Sequence, residues 1–144
     1  MKRILVIEDE RAEYESLVEA LTSEGHDLIW TQTAHEGLRR ANDEHFDLVL
    51  LDVNLSDLDP WQVLDRFNAL HPFLPVVMLA ERPGPLPRAA LRGADACLDK
   101  PLDRPHLLEI VKQLLAESHQ ARMSRLMDSL HGWLRVPQAD ELMH

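Results

Sequence analysis

Four side chains with chemical potential stand at the ends of apolar runs. Glu8 and Asp9 follow Ile4–Ile7, Asp52 follows Leu48–Leu51, and Lys100, with Pro101 after it, closes the stretch GADACLDKP. A carboxylate leaving a run as apolar as LVLL needs a reason. If the first and third runs are neighbouring strands, three carboxylates converge on one rim. Such groups repel one another, and at neutral pH a hard cation makes them tolerable. Mg²⁺ suits the rim because it takes oxygen ligands and keeps several waters. With the Lys100 ammonium added, the rim holds a carboxylate nucleophile, a divalent cation and a positive side chain. That set can hold a phosphoryl group, whose transfer depends on positioning and charge neutralisation.

The elements that must position these residues are legible in the hydrophobic pattern. Ile4–Ile7, Leu28–Trp30, Leu48–Leu51 and Val76–Leu79 are continuous apolar runs, and Ala94–Leu98 is a weaker one. Continuity predicts strands covered on both faces, as in a parallel sheet. The segments between them read as helices. Tyr14, Leu17, Val18 and Leu21 share one helical face, with Gly25 to end it. Thr33 and Glu36 form a capping box, and Asp59–Pro60 is an N-cap followed by proline at the first helical position. Pro85 and Pro87 precede a short helix that Gly93 closes, and Asp103 opens another carrying Leu107, Leu108, Val111, Leu114 and Leu115. Five β-α units in succession imply a doubly wound α/β fold, whose ligand crevice lies beyond the carboxyl ends of the strands.

Composition agrees with one soluble domain. The chain has 144 residues, 45% hydrophobic and 28% charged, with a net charge of -10 that disfavours bare nucleic acid and anionic membrane as partners. One cysteine, Cys97, allows no internal disulfide and fits a reducing cytoplasm. The run after Lys2 and Arg3 is too short for a signal peptide, and no stretch is long enough to span a membrane. The eight histidines show no metal-ligand spacing, and Trp61 reads as partly buried packing.

VIEDE, LLDVNLSD and GADACLDKP, in this order and spacing, resemble the receiver domain of two-component response regulators (CheY-like), over residues 2 to about 118. The resemblance implies a flavodoxin-like five-stranded parallel sheet, order 2-1-3-4-5, with helices on both faces. It also implies roles. Asp52 accepts a phosphoryl group from a phosphohistidine, Asp9 and Asp52 bind Mg²⁺ directly, and Glu8 acts mostly through water. Asn54 lends its backbone carbonyl to the metal, and Lys100 pairs with the phosphoryl oxygens beside a cis peptide at Pro101. The implied partner is a sensor histidine kinase or histidine phosphotransfer protein, contacting helix one and the rim loops, with an unnamed downstream protein. The module is a cytoplasmic signalling switch rather than a metabolic enzyme.

The chain departs from that pattern at the switch. The hydroxyl position after the fourth strand is Ala80, followed by Glu81, and no Ser or Thr occurs between Asp57 and Glu117 to restore it. The aromatic switch position is Cys97, which reads as a small core residue rather than a redox site. The expected consequence is an acceptor site with an atypical output switch. The alternative is a pseudo-receiver, a docking module that works without phosphorylation. A Mg²⁺-dependent aspartyl-phosphate phosphatase is disfavoured, since its second aspartate would stand where Asn54 does and its nucleophile would follow the first strand.

The reading therefore divides the chain into a receiver domain, residues 1–118, and a helical extension or tail, residues 119–144. A segment of about 25 residues is too short for a domain of its own, so no direct DNA binding is expected. Met123, Leu126, Met127, Leu130, Trp133 and Leu134 form an apolar stripe expected to bury itself on its own domain or in a homodimer, and Gly132 is a candidate interruption of the helix.

Overall fold

Leu48, Val49, Leu50 and Leu51 are wholly buried because β3 (Leu48–Asp52) is the central strand of the sheet. The computed structural model describes residues 2–81 and 92–134, the last six as backbone only. β1 (Arg3–Ile7) and β4 (Val76–Glu81) flank β3, and β2 (Asp27–Thr31) and β5 (Ala96–Lys100) form the edges, giving the parallel order 2-1-3-4-5. The helices are α1 (Arg11–Thr22), α2 (Ala34–Asp43), α3 (Pro60–Leu70), α4 (Arg104–Ala116) and α5 (His119–Leu134). The helix expected after Pro85 and Pro87 falls outside the described residues.

Strand alternation divides the core in two. Leu5, Ile7, Val49, Leu51, Val76 and Met78 meet α2 and α3 on one face of the sheet. Ile4, Val6, Leu50, Val77, Leu79 and Leu98 meet α1 and α4 on the other. Gly37 of α2 permits close approach to β1, since a Cβ there would lie 2.7 Å from Ile7 Cγ1.

The expected caps form. Thr33 accepts from the Glu36 amide at 3.1 Å, while the Glu36 carboxylate turns to Arg39. Asp59 accepts from the Trp61 amide at 2.9 Å. Asp57 adds a cap that the sequence did not signal: from the loop after β3 it accepts from the Ala34 and His35 amides at 3.1 and 3.0 Å, tying that loop to α2. Trp61 is half-buried against the α2–α3 core.

Three expectations are corrected. Leu28–Trp30 is only half-buried, because β2 is an edge strand and lacks a neighbour on one side. The fifth strand starts at Ala96 rather than Ala94, since Gly93 turns with φ +88° and Asp95 is committed to another task. The third concerns the extension. α5 runs through Gly132 to Leu134, so that glycine does not interrupt it, and two arginines in its first half tie it to the domain. Arg122, 5% exposed, donates to Asp95 at 2.8 Å and to the Pro72 carbonyl at 2.6 Å. Arg125 reaches the same Asp95 at 2.6 Å and Glu117 at 2.9 Å. Met123 and Met127 stay 47% exposed, and the side chains of Leu130, Trp133 and Leu134 are not among those described.

The Asp95 carboxylate is completely buried and also accepts from the Val76 amide at 2.9 Å. A buried pair is costly to break from one side, because the remaining charge is left uncompensated. Because Arg125 and the Val76 amide still pair Asp95, Arg122→Ala is expected to lower unfolding free energy by about 1.5–3 kcal/mol, the scale of hydrogen bonds to a charged group, read from urea denaturation. A loss below about 1 kcal/mol, the scale of a surface pair, would show that the clamp is not holding α5.

Candidate functional site

Three strand ends deliver the site, and alternation decides which side chains enter it. Asp52 continues the parity of Leu48 and Leu50 and so leans to the α1–α4 side of the sheet. Glu8 continues the parity of Ile4 and Val6, one residue past the last register pair, Ile7 with Leu51. Lys100 continues that of Ala96 and Leu98. Asp9 has the opposite parity and is exposed.

Lys100 joins these groups. Its Nζ donates to Asp52 Oδ1 at 3.0 Å, also hydrogen-bonds the Glu13 carboxylate, and lies 3.7 Å from Glu8 Oε2. Asp52, 1% exposed, additionally accepts from the Asn54 amide at 3.1 Å. The Lys100–Pro101 bond is cis, as the resemblance implies. Burial alone pulls the lysine pKa down, but the hydrogen bonds to Glu13 and Asp52 outweigh it and leave Lys100 above its ordinary range.

Glu8 is the least comfortable member. It is fully buried; its Oε1 accepts from the Glu10 amide at 3.2 Å, and its Oε2 has no hydrogen-bond partner among the described residues. Burial, and then the Asp52 carboxylate beside it, push its pKa up to about 9. Its backbone is held firmly, with its amide donating to the Thr31 carbonyl at 3.0 Å and its carbonyl accepting from Trp30 Nε1 at 2.7 Å. Trp30 in turn stacks on Tyr14 of α1, ring centroids 4.4 Å apart.

Carboxylate oxygens of Glu8, Glu13 and Asp52 all lie within 4.8 Å of one another. An all-oxygen set around an orphaned, buried carboxylate oxygen fits Mg²⁺. The sequence-derived set thus meets the structure unevenly. Glu8, Asp52 and Lys100 are brought together, Asn54 touches Asp52 through its amide, and Asp9 lies outside the cluster. Glu13 belongs to the cluster but was missed, because it lies in the first turn of α1 and not at a strand end. Its signal was the five-residue step from Glu8, which folds it back over the rim. The cluster borders a cavity of about 290 Å³ lined by Glu8, Glu13, Lys100 and Pro101 among others.

The switch positions are apolar or inert. Ala80 is 1% exposed, beside Asp99 in the register, and presents only a methyl group. Glu81 is exposed beside Lys100 in the register. Cys97 packs on the α2–α3 core, and burial followed by Asp99 raises its thiol to about 11, far from reactive thiolate.

A family model described as the response regulator receiver domain matches residues 4–112. The chain is 35% identical over 127 residues to the transcriptional activator protein IrlR of Burkholderia pseudomallei, covering 87% of this chain and 55% of that protein. It is 28% identical to the transcriptional regulatory protein GlrR of Escherichia coli, covering 88% of this chain and 29% of that protein. The chain therefore spans about half or less of these relatives. Among solved structures, a CheY-like receiver domain protein from Methanospirillum hungatei superposes with a TM-score of 0.74 at 31% identity, covering 80% of this chain and 94% of that one. The receiver domain of NtrX from Brucella abortus gives 0.75 at 32%, covering 80% and 99%.

The Glu8 environment sets a pH dependence. With a carboxyl pKa raised on folding, the native state keeps a proton that the unfolded chain releases above about pH 4.5. Stability should then fall as pH rises from about 4.5 toward about 9. Glu8→Gln should flatten that decline in metal-free urea titrations at several pH values; an equally steep decline in the variant would assign it to other groups.

Proposed function

The chain belongs to the response regulator receiver family of two-component signal transduction, and from that premise we propose that Asp52 accepts a phosphoryl group from a phosphohistidine. The donor is a sensor histidine kinase or a histidine phosphotransfer protein. A carboxylate oxygen of Asp52 attacks phosphorus, the P–N bond breaks, and its electron pair leaves on the donor imidazole. The product is an acyl phosphate on Asp52, with Lys100 paired to its oxygens. The observation that carries this reading is the 3.0 Å contact between Lys100 Nζ and an aspartate 1% exposed at the end of the central strand.

Mg²⁺, when bound, neutralises the carboxylates and the arriving phosphoryl oxygens. Asp52 and the Asn54 carbonyl would hold it from β3 and the following loop. The resemblance gives Asp9 a direct contact and Glu8 a water-mediated one.

Ala80 changes the output. A hydroxyl there would donate a hydrogen bond to a charged group, worth about 1.5–3 kcal/mol. A decisive two-state shift needs about 5.5 kcal/mol of differential binding. Without that bond, phosphorylation of Asp52 is reported weakly, or by another route, and Glu81 adds negative charge near the entry. The same observation favours the second reading, a phosphorylation-independent docking module. We further assign the chain a cytoplasmic location and no direct DNA contact, with output through a protein partner. Met123 and Met127 offer α5 a surface for a homodimer.

Incubation with Mg²⁺ and a small phosphodonor, followed by intact mass, is expected to add one phosphoryl group, lost in Asp52→Asn. No addition to the parent chain favours the docking module. Ala80→Ser, the smallest hydroxyl that so buried a position admits, should enlarge the amide NMR response to a phosphoryl mimic. An unchanged response would remove Ala80 as the cause of a weak switch.

A further inference from the structure

Glu13 has no role in the family resemblance, yet it shares the Lys100 ammonium with Asp52. An ammonium has three protons to donate. In the resting site one goes to Asp52 and one to Glu13, with Glu8 Oε2 at 3.7 Å from the same nitrogen. The cluster also contains a sign that something further is to be received: that Glu8 oxygen is buried and has no hydrogen-bond partner among the described residues.

The two partners of Lys100 are not equivalent. The Asp52 side chain is 2% exposed and the Glu13 side chain 31%. A released Glu13 is rehydrated where it stands, whereas Asp52 has little water to turn to. A phosphoryl group on Asp52 brings a higher negative charge and more acceptor oxygens than a carboxylate. Competition for Lys100 is therefore resolved at the expense of Glu13. The residue is also placed to transmit its release. It lies in the first turn of α1, whose N-cap residue, Glu10, makes no side-chain capping bond.

Taking Asp52 as the acceptor, on which this inference rests, we propose that Glu13 is a resting-state latch on Lys100. Phosphorylation breaks the latch and passes the signal to the first turn of α1. This supplies a route that does not need the missing hydroxyl at Ala80. Glu13 acts through Lys100 and is a positioning residue rather than a catalytic one.

The test is a titration of the full chain with Mg²⁺ and beryllofluoride, a phosphoryl mimic, followed by amide NMR. It uses the parent, Glu13→Gln, Lys100→Met and the double variant. Removing the competitor in Glu13→Gln should tighten mimic binding about tenfold, the scale of one charge-assisted hydrogen bond. In the Lys100→Met background the same change should have a small fraction of that effect. The Ala12–Tyr14 amides should respond to the mimic in the parent and much less in Glu13→Gln. Equal tightening in both backgrounds would mean simple charge repulsion and would overturn the latch, as would no tightening at all. If Val53 and Asn54 fail to respond in the parent at saturating mimic, the acceptor reading itself falls, and the latch with it.

Discussion

The ammonium of Lys100 is the charge on which the site depends. Burying an ion costs several kcal/mol unless it is paired and hydrogen-bonded, at roughly the scale of a small domain's whole stability. Asp52 and Glu8 are both withdrawn from water beyond the ends of their strands. One lysine from an edge strand makes this tolerable by reaching Asp52 and Glu13 and standing near Glu8. The compensation is incomplete, and Glu8 bears the deficit. Its elevated pKa and unsatisfied oxygen are the same fact seen from two sides. Among the described residues the acids at the rim outnumber the cations, which suits the site to receiving a cation.

Parallel strands make the arrangement possible. Side chains of one parity on β1, β3 and β5 fall on one side of the sheet, so Glu8, Asp52 and Lys100 converge without any special turn. Asp9, one residue later, has the other parity. At the opposite end of the sheet a second group of charges does a different job. Asp95 is matched by Arg122 and Arg125 and by the Val76 amide, and it fixes a helix instead of holding a ligand. The two groups differ in their balance. At Asp95 two guanidinium groups face a completely buried carboxylate, whereas at the rim, among the described residues, three carboxyl groups share one ammonium.

Much of this was legible in the sequence, and the failures have physical causes. Continuous apolar runs located the strands, and the residues closing them located Glu8, Asp52 and Lys100. The caps at Thr33, Asp59 and Asp103 were readable because they depend only on near neighbours. Burial at the sheet edges was overestimated, since composition does not tell an edge strand from a central one. Glu13 was missed because a helical acid in a first turn normally faces solvent. The arginine contacts of α5 were not legible, because apolar periodicity carries no sign of a buried acid elsewhere in the chain. A buried acid, Asp95, drew the arginines inward and left Met123 and Met127 outside.

The anchoring of Trp30 gives the site an optical property of its own. Its indole N–H is bonded to the backbone carbonyl of Glu8, and its ring lies flat against Tyr14, whose helix also carries Glu13. Any event that moves the Glu8 turn or rotates the start of α1 must change the polarity and stacking around that indole. The intrinsic tryptophan emission of the unlabelled chain should therefore register occupancy of the acidic pocket, and replacing Trp61 and Trp133 with phenylalanine would leave Trp30 as the single tryptophan.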